Sequence, residues 1–294
     1  MSRWVILIVC EGILRYMKKT QSILAILSAT TIAGGIAAHL FRKNTEKNSY
    51  SAELIDPIQP REIGLYEKAI KRGLDVVCAM GAIVAFCPLY LCIAALVKVN
   101  LGSPVLFTQD RPGMIDDSGR ETIFKMYKFR TMTDEKDENG NLLPDDVRLT
   151  KFGAWLRATS LDELPEAINI LNGTMSVIGP RPQLVRDMTF MSKEQRRRHT
   201  AKPGLSGLAQ INGRNDIDWL RKLQFDLDYI EDISLTEDIR IVIQTVITAF
   251  IKKEGITEKN KATAEDYGDY LLNTHIIDSD EYDNCQELAK RILK

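Results

Sequence analysis

The block LDVVCAMGAIVAFCPLYLCIAALVKV, Leu74 to Val99, is apolar from Asp75 to Lys98. It constrains the fold more than any other stretch of the chain. It is long enough to cross a bilayer as a helix, which takes about 20 apolar residues, yet Pro88 stands near its middle. A proline inside a helix removes a hydrogen bond and costs about 3 kcal/mol or kinks the helix. Two outcomes compete: a kinked span, or a helix–break–helix that enters one leaflet and returns to the same side. Lys68, Lys71 and Arg72 precede the block and Lys98 closes it. Cations at both ends are easiest to reconcile with two cytoplasmic ends, which favours re-entry. A buried hairpin in a soluble protein fits such a charge-free block less well.

Residues 1–60 read as an N-terminal apolar region and linker. Trp4 to Leu14 is too short to span a bilayer, whereas Ser22 to Phe41 is long enough but diluted by Ser, Thr, Gly and His39. A start at Met17 would make the second stretch a signal-anchor-like segment. The polar run 42–60 links it to the re-entrant hairpin expected at 61–100. The five cysteines lack the paired spacing of a zinc site, and a reducing, cytosol-facing location follows most simply. The three histidines are dispersed, and the net charge of −1 gives no global pull toward nucleic acid.

Residues 101–252 read as a small cytosolic domain, mixed α/β (α+β) but mostly helical, with short strands and amphipathic helices. Strands are expected at PVLFTQ and ETIFKMYKFRTM, joined by a turn containing DDSG, and a third at MSVIG. A polar loop covers 134–146. Helices are expected at 149–158, 162–172, 184–198, 217–231 and 235–252. The acidic tail, 253–294, shows an apolar face only at CQELAKRIL and reads as a partly ordered appendage.

SLDELPEAINIL, Ser160 to Leu171, places two carboxylates at the mouth of a helix. Ser160 with Glu163 matches a capping box, and a helix starting at Asp162 would put Pro165 where no N–H is missed. Asp162 is thus a helix cap, or something more. No GxxxxGK loop and no G-x-G occurs, so neither an NTPase cradle nor a dinucleotide turn is present. Asp226 and Asp228 form a D-x-D, a weak metal–nucleotide signal that two surface acids explain better. What recurs is a set of arginine- and glycine-bearing turns: QDRPG, YKFRTM, LRATSLDELPE, IGPRP and KPGLSGLAQINGRN. Guanidinium forks and exposed backbone N–H groups both bind phosphate oxygens. Arg111, Lys128, Arg130, Arg157, Arg181 and Arg214 are the candidate phosphate holders. Beside a carboxylate pair they point to an anionic substrate near a nucleophile or a divalent metal.

These motifs, in this order and behind a proline-broken apolar segment, resemble the bacterial sugar transferase family, the monotopic phosphoglycosyl transferases. The resemblance runs from about Tyr66 to Phe250. It departs at Glu166, where a glutamine is common, a position outside the chemistry expected of the site. The resemblance implies transfer of a sugar 1-phosphate from a nucleotide diphosphate sugar to polyprenol (undecaprenyl) phosphate, releasing the nucleoside monophosphate. Asp162 would be the nucleophile, forming a phosphoglycosyl-aspartate, and Glu163 would assist the acceptor. Mg²⁺, with Asp162 as a ligand, is the implied cofactor. The Pro88 segment would be the re-entrant membrane hairpin, with its lipid contacts in the bacterial inner membrane and the catalytic domain on the cytoplasmic face. A homodimer is compatible with this reading. Two alternatives stand beside it: direct ternary displacement with Asp162 and Glu163 holding Mg²⁺, and a non-catalytic membrane-anchored scaffold for polysaccharide export.

Overall fold

The computed structural model describes residues 55–213, 217–248 and 265–294. The apolar stretches at 4–14 and 22–41, Met17 and most of the 42–60 linker lie outside them. A π-helical turn, Tyr66–Lys71, runs directly into α1, Arg72–Ala85, and α2 follows at Cys87–Leu101. The two arms are bent by 65°. The break falls at Phe86 (φ −98°, ψ 9°), and Pro88 sits in the first turn of α2. There the missing N–H costs nothing, because first-turn donors have no intrahelical acceptor. Among the described residues no single helix is long and apolar enough to cross a membrane; the bent pair passes that test only together.

After α2 comes an antiparallel hairpin of β1, Leu106–Ile115, and β2, Glu121–Phe129. QDRPG is therefore strand, not turn. Its Pro112 and Gly113 fall where the pairing shifts register, between Pro112 and Ile115. The 134–146 loop is closed by a bridge between Lys136 and Leu142 and ends in the short α3, Asp145–Arg148. Next comes α4, Lys151–Ala158, capped by Thr150, whose Oγ1 accepts from Gly153 N at 3.0 Å. A Cβ at Gly153 would stand 1.8 Å from the Thr131 carbonyl oxygen, so only glycine lets α4 lie this close to the end of β2. A 3₁₀ turn, Leu161–Glu163, leads to α5, Glu166–Asn172.

Both apolar arms lie on this scaffold. Ala79 of α1 is buried with Phe124, Met126, Ala167, Ile170 and Met175. Ile93 and Val97 of α2 are buried with Phe129 and Leu156. The opposite faces are open: Val77, Met80, Val84, Phe86, Leu91 and Val99 are all exposed. Polar contacts fix α1 in rotation. Arg72 donates to the Ile170 and Leu171 carbonyls at 2.5 and 2.7 Å, serving the free acceptors at the C-terminus of α5.

A second sheet pairs β3, Ser176–Ile178, in parallel with β4, Gly204–Ser206. Buried Asp75 of α1 accepts from Ser176 Oγ and Val177 N at 3.0 and 2.9 Å, tying the first arm to β3. The continuous helix expected at 184–198 is instead α6, Val185–Phe190, then α7, Lys193–Arg196, and a 3₁₀ turn at Arg197–Thr200. Ser192 breaks it by capping α7 and accepting from Gln195 N. β4 and the one-turn α8, Leu208–Ile211, come from PGLSGLAQI, which sequence reading left without an element. Two longer helices follow, α9 at Trp219–Glu231 and α10 at Leu235–Val246.

The described part of the tail is folded and docked. α11, Tyr267–Asn273, buries Tyr267 and Leu271 against Met191, Trp219 and Leu223. α12, Ser279–Ile292, buries Ile292 against Val185 and Met188. Residues 265–294 thus pack onto the rest of the fold through Tyr267, Leu271 and Ile292.

Candidate active site

Asp162 is carried by the 3₁₀ turn, not by an α-helical cap. Ser160 takes the left-handed conformation (φ 53°) and makes no side-chain capping bond, and α5 starts only after Pro165. The capping box expected at Ser160 is therefore absent, because the tight turn points the chain away from the geometry it needs. Asp162 is 8% exposed. Burial and the charge of Glu163 push its carboxyl up to about 6, against the pull of Lys128 and Arg157. Removal from water outweighs the pull of those two cations.

Around it stands a charged cluster built from three elements. Lys128 on β2 places Nζ 2.8 Å from Glu163 Oε1 and 3.3 Å from Glu166 Oε1. Arg181, in the loop after β3, brings Nη2 to 3.1 Å from the same Glu163 oxygen and is about half exposed. Burial alone would raise the Glu163 carboxyl, but Lys128 and Arg181 hold it well below the usual range. Glu166 goes the other way, raised by burial and by the Glu163 charge. Asn169 keys the parts together: its Oδ1 accepts from Tyr127 N at 3.0 Å and its Nδ2 donates to the Lys125 carbonyl at 2.8 Å. That clamp sets α5 against β2 and so sets Glu163 against Lys128.

The remaining candidates divide. Arg157 donates from Nε to Thr131 Oγ1 at 3.0 Å, and its charge acts on Asp162. Arg111 donates to Gln109 Oε1 at 2.7 Å and to the Pro182 carbonyl at 3.3 Å. Its guanidinium is lowered to about 10 by burial and by Arg181, and its Nε is buried without a hydrogen-bond partner. Arg130 is directed elsewhere: it donates to the Leu101 and Ser103 carbonyls beyond α2 and pairs with Asp134. Arg214 lies outside the described residues.

The IGPRP and PGLSG motifs form one structure. Gly179 N donates to the Ser206 carbonyl and Gly204 N to the Pro180 carbonyl, both at 2.9 Å. A Cβ on Gly179 would meet the Lys202 carbonyl oxygen at 2.3 Å, so these glycines permit the two turns to interlock. Sequence reasoning missed two contributors here. Glu166 sits inside the cluster, although its departure from the family pattern was read as remote from the chemistry. Arg198 is fully buried, donates to the Arg181 carbonyl at 2.5 Å and pairs with Asp226 Oδ2 at 2.6 Å. Asp226 of the D-x-D is therefore an internal ion-pair partner that steadies the Arg181 loop. Its spacing with the buried Leu223, Leu227 and Ile230 of α9 was the signal that it faces inward. Among the described residues no group of three or more His, Cys, Asp or Glu side chains is placed to hold a metal.

A buried carboxylate near Lys128 and Arg157, on a scaffold backed by two apolar arms, suits a group-transfer enzyme that acts on an anionic substrate, and the comparisons identify the transferase class. The bacterial sugar transferase family matches residues 66–252, and the chain belongs to that family. A sugar transferase, EpsL, of Bacillus subtilis (strain 168) is 44% identical over 196 residues, 67% of this chain and 94% of that protein. A UDP-glucose:undecaprenyl-phosphate glucose-1-phosphate transferase of Xanthomonas campestris pv. campestris is 41% identical over 191 residues, 61% of this chain but 38% of the relative. A UDP-N-acetylgalactosamine-undecaprenyl-phosphate N-acetylgalactosaminephosphotransferase of Aeromonas hydrophila is 38% identical over 195 residues, covering 62% of this chain and 44% of that protein. The chain thus spans nearly all of EpsL and less than half of the two relatives named for their substrates.

Proposed function

We propose that this transferase moves a sugar 1-phosphate from a nucleotide diphosphate sugar to polyprenol phosphate, of the undecaprenyl type, and releases the nucleoside monophosphate. This would be the first membrane step of polysaccharide or glycoconjugate assembly, on the cytoplasmic face of the bacterial inner membrane. The names of the Xanthomonas and Aeromonas relatives support the substrate pair. The exposed apolar faces of α1 and α2, together with Ile239, Val242, Ile243 and Val246 on α10, support attachment to a bilayer by re-entry.

The observation that carries the reading is Asp162 buried beside Lys128, Arg157 and Arg181. In the first step a carboxylate oxygen of Asp162 attacks the sugar-proximal phosphorus. The bond from that phosphorus to the bridging oxygen breaks, and the electron pair leaves on the nucleoside monophosphate. In the second, an oxygen of polyprenol phosphate attacks the phosphoglycosyl-aspartate, and the Asp162 carboxylate leaves. Cations are needed because a carboxylate approaching a pyrophosphate meets like charge. Glu163 serves the acceptor through the cations it holds, fixing Lys128 and Arg181 where an entering phosphate needs them. Glu166, whose carboxyl burial and the Glu163 charge raise to about 7, has in its protonated form the shape and charge of the glutamine common at its position.

Magnesium fits this donor set in one way. The site has no three-ligand cage among the described residues, and Mg²⁺ commonly takes one or two carboxylates together with substrate phosphates. Asp162, destabilised as an anion by burial beside Glu163, is the protein ligand that would gain most from the ion. When bound, the ion supplies Lewis-acid neutralisation of pyrophosphate charge.

The test is release of nucleoside monophosphate by the purified full chain in detergent, screened across nucleotide sugars with and without undecaprenyl phosphate. Sustained release that requires the lipid is expected with at least one donor. A chain that binds the sugars yet never releases monophosphate would be a scaffold.

A further inference from the structure

A cavity of about 200 Å³ opens at the base of α1, lined by the cations Lys68, Lys71, Arg72 and Lys202 and the acids Glu67 and Asp75. It adjoins the C-terminal end of α5, whereas Asp162 lies ahead of its N-terminal end. At about 1.5 Å of rise per residue, the seven residues of α5 alone separate the two by roughly 10 Å. The acids are already engaged: Glu67 accepts from Arg61 at 2.6 Å, and Asp75 accepts from Ser176 and Val177. Lys71 pairs with Asp238 at 2.5 Å, and Arg72 serves the α5 carbonyls. Lys202 is half-buried and, among the described residues, has neither a hydrogen-bond nor an ion-pair partner. Arg72 Nη2 and Lys202 Nζ lie 3.4 and 3.7 Å from the point a Cβ on Gly173 would occupy. Arg72 and Lys202 thus crowd one small recess whose acids, Glu67 and Asp75, already accept hydrogen bonds from other groups. Burial, and then Arg72, push the Lys202 ammonium down against the pull of Asp75 and Glu67, so a bound anion would relieve part of the cost of burying it.

Size and setting narrow the ligand. The recess is smaller than the ~300–1,000 Å³ of pockets that enclose whole organic ligands, and it suits a single phosphate group. Exposed Ile70, on the π-helical turn, and exposed Leu74, on α1, lie within one turn of Lys71, and exposed Val77 and Met80 continue the apolar surface along α1. A molecule with a phosphate at the recess and hydrocarbon along that surface is a phospholipid. We propose that this cavity binds the phosphate of an anionic membrane phospholipid, apart from the reaction centre, with Lys202 as its principal ligand. The proposal rests on the reading that the open faces of α1 and α2 lie in the bilayer.

The full chain would be reconstituted in phosphatidylcholine nanodiscs with and without phosphatidylglycerol, and the lipid it retains counted by native mass spectrometry. Wild type should retain phosphatidylglycerol in preference to phosphatidylcholine. Lys202→Gln should weaken that retention about tenfold, the loss of one charge-assisted contact, while Lys202→Arg preserves it. Lys68→Gln, a change at an exposed side chain, should weaken it less and guards against misfolding at Lys202. Transferase rates in detergent should be unchanged for these variants. Equal retention by wild type and Lys202→Gln overturns the site. Displacement of the lipid by millimolar inorganic phosphate assigns the recess to a free anion and overturns the lipid. If wild type fails to associate with phosphatidylcholine membranes at all, the membrane reading itself has failed, and that result is separate from any difference between variants.

Discussion

Replacing Asp162 with asparagine should abolish transfer and at the same time stabilise the fold. The carboxyl is raised from 3.8 to about 6 by burial and by Glu163. An acid whose folded-state pKa lies above its unfolded value is ionised more readily in the unfolded chain, so stability falls as pH rises between the two. Below about pH 4 the carboxyl is neutral in both states and carries no penalty. Above about pH 6 the penalty is complete, and a shift of about two pKa units corresponds to about 3 kcal/mol. Asp162→Asn removes it, which for a chain of this size means a rise of roughly 6–12 °C in Tm at pH 8. At pH 5 only about half of the gain should appear. Thermal unfolding of both proteins in one detergent at the two pH values measures it. A lower Tm for the variant at pH 8, or a gain independent of pH, would refute the electrostatic reasoning. Such a trade is expected where a buried group is kept for chemistry and not for stability.

Two further outcomes follow from the same cluster and its support. Glu166→Gln should leave the rate at about pH 6, below the value of about 7 to which burial and Glu163 raise this carboxyl, within about threefold, since the protonated carboxyl and the amide are near-isosteric, and should remove a decline on the alkaline side. That decline arises as Glu166 ionises and competes with Glu163 for Lys128; an unchanged pH–rate profile would contradict it. Asp226→Ala should destabilise the protein by about 3–5 kcal/mol, because it strands the Arg198 guanidinium in the interior. Denaturant titration reads the loss, and a variant as stable as wild type would show that Arg198 finds another partner.

The sequence disclosed much of this fold where periodicity was strong. MSVIG, the 217–231 helix and the hairpin strands appear close to where β-branched runs and helical spacing put them. The proline signal in the apolar block was right in kind and displaced in place: the chain turns at Phe86, and Pro88 only opens the second arm. Local pattern misjudged the stretch 184–198, where Ser192 is a better cap than a helix interior residue. It also missed β4, whose three residues have no periodicity and depend on a parallel partner distant in sequence. For the site, motif recurrence singled out Lys128, Arg157, Asp162, Glu163 and Arg181, which the fold places near one another. Arg130 was indistinguishable from them by type, since only the fold shows that carbonyls at the end of α2 claim it. Glu166 was visible as a departure from the family pattern, but its place against Lys128 depends on the Asn169 clamp, a contact between elements.

The covalent role of Asp162 is tested most directly by trapping. Full-length protein would be mixed with a nucleotide sugar labelled in its sugar and sugar-proximal phosphate, without acceptor, then quenched and digested for mass spectrometry. The predicted result is a sugar-phosphate adduct on the peptide bearing Asp162, discharged by adding polyprenol phosphate and absent from Asp162→Asn. A wild-type enzyme that turns over without ever carrying label, with Asp162→Asn still active, would contradict it and leave direct displacement as the mechanism.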